Sequence, residues 1–469
     1  MAGKLLELET KKLLNKFGAG NHKPGSGSAA AFNGLLAANL IHTVIVLTTE
    51  EKRKKSYGNW FEQLKQFDSK ITSQIIPDLE KLFEEDSVLF DQVIKLREQR
   101  NDEKNLIVKT EIETQHLKKL QQATELPISI GNICLEVGEI SEFVFKNGFQ
   151  SARGDSFVSL SSAVGALTGC LSIIELNLLS FKPDNWTKNI SSQVLKLRES
   201  YSKLLDVMTE CSGILKDEVE QKILCDIEVE KIIKSVRGKK KLLNSQIEEA
   251  AVKLQRLIWK NKDLIWKINP TNDPIEILKP DTVLKKVFGY QCYKAKALNT
   301  SKESFEPDDI AGVIDQKKKV VFVSNQYPLE TQKFTIAHEL GHVIFHEQEV
   351  LHRDRPLDGS MNGTPRDPKE YQADKFASYF LMPAKQIHEV FQEIFQQPRF
   401  TLNEDNAFNL AQARPTALKK QLKDLRGLSR KLASTNMFGP TNFKSMNAIF
   451  GVSVEAMAIR LEELELVDF

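Results

Sequence analysis

The segment Phe334–His346 constrains the fold of this chain more than any other stretch, because it contains the motif His338-Glu339-x-x-His342. Residues four apart lie on one face of a helix, so both imidazoles can point at one metal ion with Glu339 beside it. The flanking residues are apolar enough to bury the helix, and buried histidines need polar partners, which a metal ion supplies. The pattern therefore predicts a buried metal-binding helix. The alternative is a surface helix that carries two histidines without a metal.

A second acidic segment supplies a candidate third ligand. Glu370 and Asp374 lie one turn apart on a predicted helix whose other face is apolar. We predict that Glu370 binds the metal and that Asp374 accepts the outer N–H of a ligating histidine. Glu347 and Glu349 are rival third ligands, but they follow His342 too closely on the same helix or at its end.

Such a centre has a defined chemistry. Zinc held by three protein ligands lowers the pKa of its bound water from about 15.7 to about 7. Glu339 can take the proton as the water attacks a carbonyl group, so the motif predicts a zinc peptidase centre with Glu339 as the general base. Candidates for stabilising the oxyanion, by proximity alone, are Tyr371, His346 and His352.

Composition limits the class of protein. The 469 residues suffice for about three domains, and 65 basic against 63 acidic residues give a net charge of +2, which exerts no overall attraction on nucleic acid or an anionic membrane. The five cysteines are scattered and form no Cys-x-x-Cys pair, which indicates reduced thiols and a cytoplasmic location. Residues 1–17 predict an amphipathic helix instead of a secretory signal. The apolar run 163–181 contains Glu175 and Asn177, so we expect no transmembrane segment.

Periodicity divides the chain into four parts. Residues 1–225 show apolar positions at three-and-four spacing and predict a helical bundle; 226–264 predict a charged helical linker. Residues 265–390 predict an α+β, zincin-like peptidase domain, in which 311–324 form a β-hairpin before the metal helix. Residues 391–469 predict a C-terminal helical extension. The predicted fold class is therefore multidomain and mainly α.

A glycine-rich loop precedes an early helix that runs to about Leu47. Its small residues expose backbone N–H groups at the positive end of the helix dipole, where an anion can bind. The alternative is that Ser28 is simply the N-cap and that the glycines form a tight turn.

Four segments in the first part resemble the cyclodeaminase/cyclohydrolase family over residues 1–215. They are the loop 24–31, Leu79–Val93 with Asp86, Gln121–Pro127, and Asp155 before a helix of small residues. The resemblance implies an all-helical, usually dimeric fold that acts on folate one-carbon adducts. It implies a small anionic ligand, folate-like or a nucleotide, in a cleft lined by Gly25, Ser26, Gly27, Ser28, Asp86 and Asp155. Members have three consecutive glycines in the loop and a Leu-Pro-Lys segment where this chain has residues 97–100, which favours ligand binding or dimerisation over turnover.

The metal-helix motif, the Glu370-x-x-Ala373-Asp374 segment and Leu381-Met382-Pro383 resemble the ImmA/IrrE metallopeptidase family over residues 265–390, and again from Phe450 to Leu466. Members are bacterial or phage-encoded zinc endopeptidases that cleave helix-turn-helix repressors in stress, mobile-element or phage-related responses. Residues 446–467 could themselves form a helix-turn-helix motif, but their acidic residues would be repelled by phosphates. We expect this segment to pack on the peptidase core.

Together these features predict a cytoplasmic zinc endopeptidase with a protein substrate, most simply a transcriptional repressor. The N-terminal domain would be a sensor or a homodimerisation module, and no direct contact with nucleic acid or membrane is expected. One alternative is a regulatory binding protein in which the metal site is structural, although such a site does not need Glu339. Another is a folate-adduct-binding enzyme that carries a peptidase module.

Overall fold

A computed structural model describes residues 4–239, 241–266, 270–296, 310–347, 352–354 and 367–469. The chain forms two compact units, Met1–Glu218 and Val219–Phe469, and the division falls inside one long helix. The first unit is helical and the second combines helices with small sheets, so the predicted fold class is confirmed.

The first unit is built around a long helix that is rich in apolar and small residues. The helices are α1 (Thr10–Phe17), α2 (Ser26–Thr49), α3 (Lys54–Tyr57), α4 (Phe61–Lys70), α5 (Ile76–Asp102), α6 (Leu106–Asn147), α7 (Arg153–Leu178) and α8 (Asn185–Val236). Helix α2 packs against α5, α6 and α7. Its buried face packs on these three helices, and its exposed face carries Asn33, Asn39 and Thr43.

Two stretches of this unit are long and apolar enough to cross a membrane by length and composition, namely Ser26–Thr49 and Gln150–Leu178. Half of each apolar window is buried inside the protein. The first forms α2, and the second covers α7 with the turn before it.

The second unit holds the remaining elements. Its helices and strands are α9 (Asn244–Lys260), α10 (Lys262–Trp266), α11 (Pro280–Lys286), β1 (Gln291–Ala295), β2 (Gly312–Asp315), β3 (Val320–Ser324), α12 (Leu329–Phe345), β4 (His352–Asp354), α13 (Pro368–Leu381), α14 (Ala384–Phe395), β5 (Phe400–Thr401), α15 (Glu404–Ala411), α16 (Pro415–Leu422), α17 (Leu425–Ser434), β6 (Met437–Phe438), β7 (Thr441–Asn442), α18 (Met446–Phe450), α19 (Val454–Glu463) and β8 (Val467–Asp468).

The main sheet has the strand order β1-β3-β2-β4. Strands β2 and β3 form the predicted antiparallel hairpin, with Val313 opposite Phe322. The parallel strand β1 and the antiparallel strand β4 extend it on either side. Helix α12 packs on β2 and β3, so the hairpin forms the floor beneath the metal helix.

The segment 226–264 differs from the predicted linker. Its helix α9 has a buried apolar face with Ile247, Leu254 and Ile258 at 0% exposure, and these side chains belong to the core of the second unit. Gln255 also donates from its side chain to the carbonyl oxygens of Tyr379 (2.9 Å) and Phe380 (3.1 Å). The many charges lie on the opposite face of an amphipathic helix. Their number in the sequence indicated a solvated linker, although the other face of the helix is packed.

The end of the chain packs on the same core, as predicted. Met457 and Leu461 of α19 are fully buried there, and Arg460 donates to the carbonyl oxygen of Met382 (3.3 Å). On the other side of α19, Glu455 and Glu462 both pair with Arg426 of α17, at 2.7 and 2.8 Å. The acidic residues of α19 therefore serve intramolecular ion pairs.

All five cysteines are free thiols, and four of them are buried. They are spread over both units, as their scatter along the sequence indicates.

Candidate metal centre

Helix α12 is held between the sheet and α13. Its residues from Thr335 to Phe345 are all buried. On one side Gly341 lets α13 approach closely, since a Cβ at this position would lie 3.0 Å from the Cα of Ala373. On the other side Gly312 of β2 faces Thr335 and Glu339. The small residues on both sides bring the motif, the sheet and α13 into direct contact.

The structure brings His338, His342 and Glu370 together, with ligand atoms that lie within 4.8 Å of one another. The two histidine Nε2 atoms are 2.9 Å apart. The carboxylate oxygens of Glu370 lie 3.2 Å from Nε2 of His338 and 3.6 Å from Nε2 of His342. At zinc–ligand distances of about 2.0–2.2 Å, neighbouring tetrahedral ligand atoms are about 3.3–3.6 Å apart. The two distances to Glu370 are close to this range, whereas the 2.9 Å between the two nitrogens is shorter, so the imidazoles would move apart by a few tenths of an ångström to bind zinc. Two imidazole nitrogens and one carboxylate are a donor set that zinc prefers.

Asp374 contacts the opposite nitrogen of a histidine, as predicted. Its Oδ1 lies 2.9 Å from Nδ1 of His338, one helical turn after Glu370. An ionised carboxylate can only accept, so His338 donates Nδ1–H to Asp374. In the neutral imidazole the lone pair is then on Nε2, which lies 3.2 Å from Glu370. Helix α13 thus provides a candidate ligand and the group that orients another.

The far nitrogen of His342 has a different neighbour. Its Nδ1 is 3.0 Å from Nδ1 of His346, and Nε2 of His346 is 3.1 Å from Oε1 of Gln372. His346 therefore lies behind His342, away from the face that the candidate ligand atoms share. This placement argues against the suggested oxyanion role of His346. Sequence proximity could not show it, because the ring orientation depends on α13.

The other oxyanion candidates gain no support. The hydroxyl of Tyr371 donates a hydrogen bond to Oδ1 of Asn244 on α9 (3.1 Å). The side chain of His352 lies outside the described residues, as does the rival ligand Glu349. The carboxylate of Glu347, the other rival, is 86% exposed and lies 3.9 Å from Arg237.

Glu339 is fully buried beside the two histidines. A Cβ at Gly312 would lie 2.9 Å from its Oε1, so the backbone of β2 runs directly past this carboxylate. The floor strand and the candidate base are therefore in contact, and any side chain at position 312 would push against Glu339.

In the first unit the carboxylate of Asp86 contacts the start of the helix that follows the glycine-rich loop. Helix α2 begins at Ser26 after the N-cap residue Gly25, so Ser28 is the third helical residue and not the N-cap. Oδ2 of Asp86 accepts from the backbone N–H of Ser28 (2.6 Å) and from its hydroxyl (2.9 Å). A Cβ at Gly27 would lie 2.0 Å from Oδ1 of Asp86. The position predicted for an anion at this helix start is therefore filled by Asp86 itself.

The remaining predicted residues of this site are more open. Ser26 and Asp155 are exposed, and Asp155 lies in the first turn of α7. Among the described residues no hydrogen bond or ion pair joins Asp155 to the loop or to Asp86. Burial raises the pKa of Asp86, and the two hydrogen bonds from Ser28 partly offset this effect.

Comparison with known proteins gives two separate family matches. Residues 9–196 match the family model described as formiminotransferase-cyclodeaminase. Residues 294–399 match the M78 peptidase family model, described as IrrE N-terminal-like domain. A crystal structure of formiminotetrahydrofolate cyclodeaminase from Thermotoga maritima is similar at 15% sequence identity and a TM-score of 0.39, covering 45% of this chain and 99% of that chain. No curated protein matches the chain.

Each match falls on the part of the sequence whose motifs predicted it. The first covers most of the helical unit, and the second contains the metal helix and α13. The chain therefore joins a helical domain of the formiminotransferase-cyclodeaminase type to a peptidase domain of the IrrE type.

Proposed function

We propose that this chain is a cytoplasmic zinc-dependent endopeptidase in which His338, His342 and Glu370 hold Zn²⁺ and Glu339 is the general base. The observation that supports this proposal most directly is the convergence of three ligand atoms within 4.8 Å of one another, next to a buried glutamate. Zinc, when bound, supplies a Lewis acid that polarises a carbonyl group and makes water more acidic.

Side chains of the protein would transfer the protons and orient the metal ligands. Glu339 would accept the proton of the attacking water and deliver it to the leaving amine. Asp374 would hold His338 in the tautomer that can bind metal, through the 2.9 Å contact between its Oδ1 and Nδ1 of the ring. Burial of the site would strengthen each of these electrostatic interactions, because little water screens them.

A purely structural metal site is the weaker alternative. Structural zinc sites close the fourth position with a protein ligand. In the described part of the chain the candidate cluster consists of three residues. A buried glutamate beside such a cluster is more readily explained as a base than as a packing residue, since an ionisable group is costly to bury without a role.

We further propose that the substrate is a protein, most simply a helix-turn-helix transcriptional repressor that is cleaved in a bacterial stress, mobile-element or phage-related response. The match of residues 294–399 supports a peptidase domain, and the substrate class comes only from the resemblance of the motifs to the ImmA/IrrE family. The helical unit would then be a sensor or a homodimerisation module. A folate-adduct enzyme is less favoured, because Asp86 fills the helix start at which an anionic ligand was expected.

The test is to co-express the chain with a helix-turn-helix repressor encoded by an adjacent gene and to detect cleavage of that repressor by mass spectrometry. The wild type and two variants are compared. Glu339→Gln should bind about one zinc per chain but lose hydrolysis by about 10²–10⁴-fold, because the base is removed and the ligands remain. Glu370→Ala should lose both zinc and hydrolysis. Full hydrolysis by Glu339→Gln, or full zinc content in Glu370→Ala, would contradict the assignment of that residue.

A further inference from the structure

Three histidines follow one another at intervals of four residues, two in α12 and the third, His346, directly after its last residue, yet they make different contacts. His338 and His342 direct Nε2 toward Glu370, whereas His346 lies against the opposite nitrogen of His342. His346 is 7% exposed and its other nitrogen faces Gln372, which is 5% exposed. Three buried polar side chains therefore form one chain of contacts that ends at a candidate metal ligand.

The direction of the hydrogen bonds follows from the group at the end of this chain. The carbonyl oxygen of the Gln372 side chain can only accept, so Nε2 of His346 must donate to it. In a neutral imidazole the other nitrogen then carries no proton, and Nδ1 of His346 accepts from Nδ1–H of His342. The Nε2 lone pair of His342 is left for a metal ion. If the Gln372 amide were turned by 180°, its NH₂ group would donate to His346 and both hydrogen bonds would reverse direction. His342 would then carry its proton on Nε2, where a lone pair is required for metal binding.

Two further contacts fix the geometry. Gln372 lies between Glu370 and Asp374 on α13, so one helix carries a candidate ligand, the group that orients His338 and the group that orients His342 through His346. At the end of α12, the side chain of Gln316 donates to the backbone carbonyl oxygens of His342 and His346, at 3.2 Å each. The hydrogen bonds from Gln316 therefore also hold the backbone that carries the imidazoles of His342 and His346.

We propose that His346 and Gln372 are positioning residues that fix the tautomer of His342 for metal binding, as Asp374 does for His338. The inference rests on the proposed function, in which His342 binds zinc through Nε2. Partners of this kind are worth about 10–100-fold in metal affinity.

The experiment is a competition titration of the purified full chain with Zn²⁺ against a chromogenic chelator, which reports affinity independently of hydrolysis. His346→Phe keeps a ring of similar size but removes the acceptor, and Gln372→Met keeps the volume but removes the carbonyl. Each should weaken zinc binding by about 10–100-fold. Gln372→Glu can only accept, so it should bind zinc at least as tightly as the wild type does.

The matched control is Gln332→Met. Gln332 is a buried glutamine of α12, 6% exposed, whose side chain donates to the carbonyl oxygen of Tyr327 (2.7 Å) instead of to the histidine chain. Its substitution should leave zinc affinity unchanged. A purely packing role of Gln372 predicts similar zinc affinities for Gln372→Met and Gln372→Glu, since both keep the volume, whereas the positioning role predicts weaker binding for Gln372→Met alone.

The outcomes are distinguishable. Wild-type affinity in both His346→Phe and Gln372→Met, beside a wild type that binds one zinc, would overturn the positioning role and leave the proposed function intact. A wild type that binds no zinc would overturn the proposed function and this inference with it. If His346→Phe does not fold, the comparison of Gln372→Met with Gln372→Glu decides.

Discussion

Gly27 shows how one missing methyl group determines the start of a helix. The carboxylate of Asp86 occupies the space in which a Cβ at position 27 would lie, 2.0 Å from Oδ1. Gly27→Ala should therefore displace Asp86 from the N–H of Ser28 and lower the free energy of unfolding of the first unit by about 1–3 kcal/mol, as overpacking does. Chemical denaturation followed by circular dichroism measures this change.

Gly165 provides the control for that substitution. It is an exposed glycine inside α7, and a Cβ at this position would meet no atom within 4 Å. Gly165→Ala should leave stability unchanged or raise it by about 0.5–1 kcal/mol, since alanine loses less backbone freedom on folding than glycine. Equal effects of the two substitutions would contradict the close contact between Gly27 and Asp86.

Asp86 should also give the first unit a pH dependence. Burial raises the pKa of this carboxyl above its value in the unfolded chain. Its favourable contribution is therefore fully present below the unfolded pKa of about 3.9 and is lost as the pH rises through the folded pKa. Asp86→Asn keeps an oxygen acceptor for Ser28 but cannot ionise.

Between pH 4 and pH 7 the wild type should lose stability relative to Asp86→Asn, with a slope of at most about 1.4 kcal/mol per pH unit. Denaturant titrations at several pH values measure the difference. Parallel stability curves for the two proteins would show that Asp86 ionises in the folded protein as it does in water.

At the scale of elements, the position of α12 depends on the absence of a side chain on β2. A Cβ at Gly312 would lie 2.5 Å from Cγ2 of Thr335 and 2.9 Å from Oε1 of Glu339. Gly312→Ala should therefore force the strand and the helix apart, reduce the stability of the second unit by about 1–3 kcal/mol and slow hydrolysis. Thermal unfolding and repressor cleavage measure the two effects.

Thr335→Ser removes the nearer of the two obstructing atoms. In the double variant it should recover part of the lost stability, while Thr335→Ser alone should have a smaller effect than Gly312→Ala. Strictly additive effects would mean that the strand and the helix are not coupled through this contact.

The sequence predicted those elements whose signal is local. The motif spacing and apolar flanks indicated α12, and the Glu370–Asp374 pair on an amphipathic pattern indicated α13. The alternation around residues 311–324 indicated the hairpin. Strands β1 and β4 were missed because each is short and gains its stability from pairing with distant residues. The positions of Asp86, His346 and Gln372 depend on contacts between helices, which no local pattern encodes.

At the scale of the whole molecule, each unit has its own hydrophobic core. Two separate cores predict two thermal unfolding transitions, of which only one should respond to zinc. At a free zinc concentration of about 100 times the dissociation constant, the second unit should gain about 2.7 kcal/mol, and a chelator should remove this gain. Differential scanning calorimetry with and without chelator measures it.

Variants assign the two transitions. Gly27→Ala should lower the transition that does not respond to zinc, and Glu370→Ala should abolish the response of the other. A single transition that moves as a whole on addition of chelator would show instead that the two units unfold cooperatively.

The free cysteines have a consequence for how the protein would behave under oxidative conditions. Burial raises the pKa of Cys134 to about 12 and that of Cys292 to about 11, so few thiolates are present at neutral pH. The candidate ligands are nitrogen and oxygen atoms, and no cysteine belongs to that cluster in the described part of the chain. Peroxide reacts with thiolates, and zinc sites built from cysteine release their metal when it does. The described ligand candidates of this centre contain no sulfur to oxidise, so a burst of peroxide that disables thiolate zinc proteins should leave a zinc ion bound here in place.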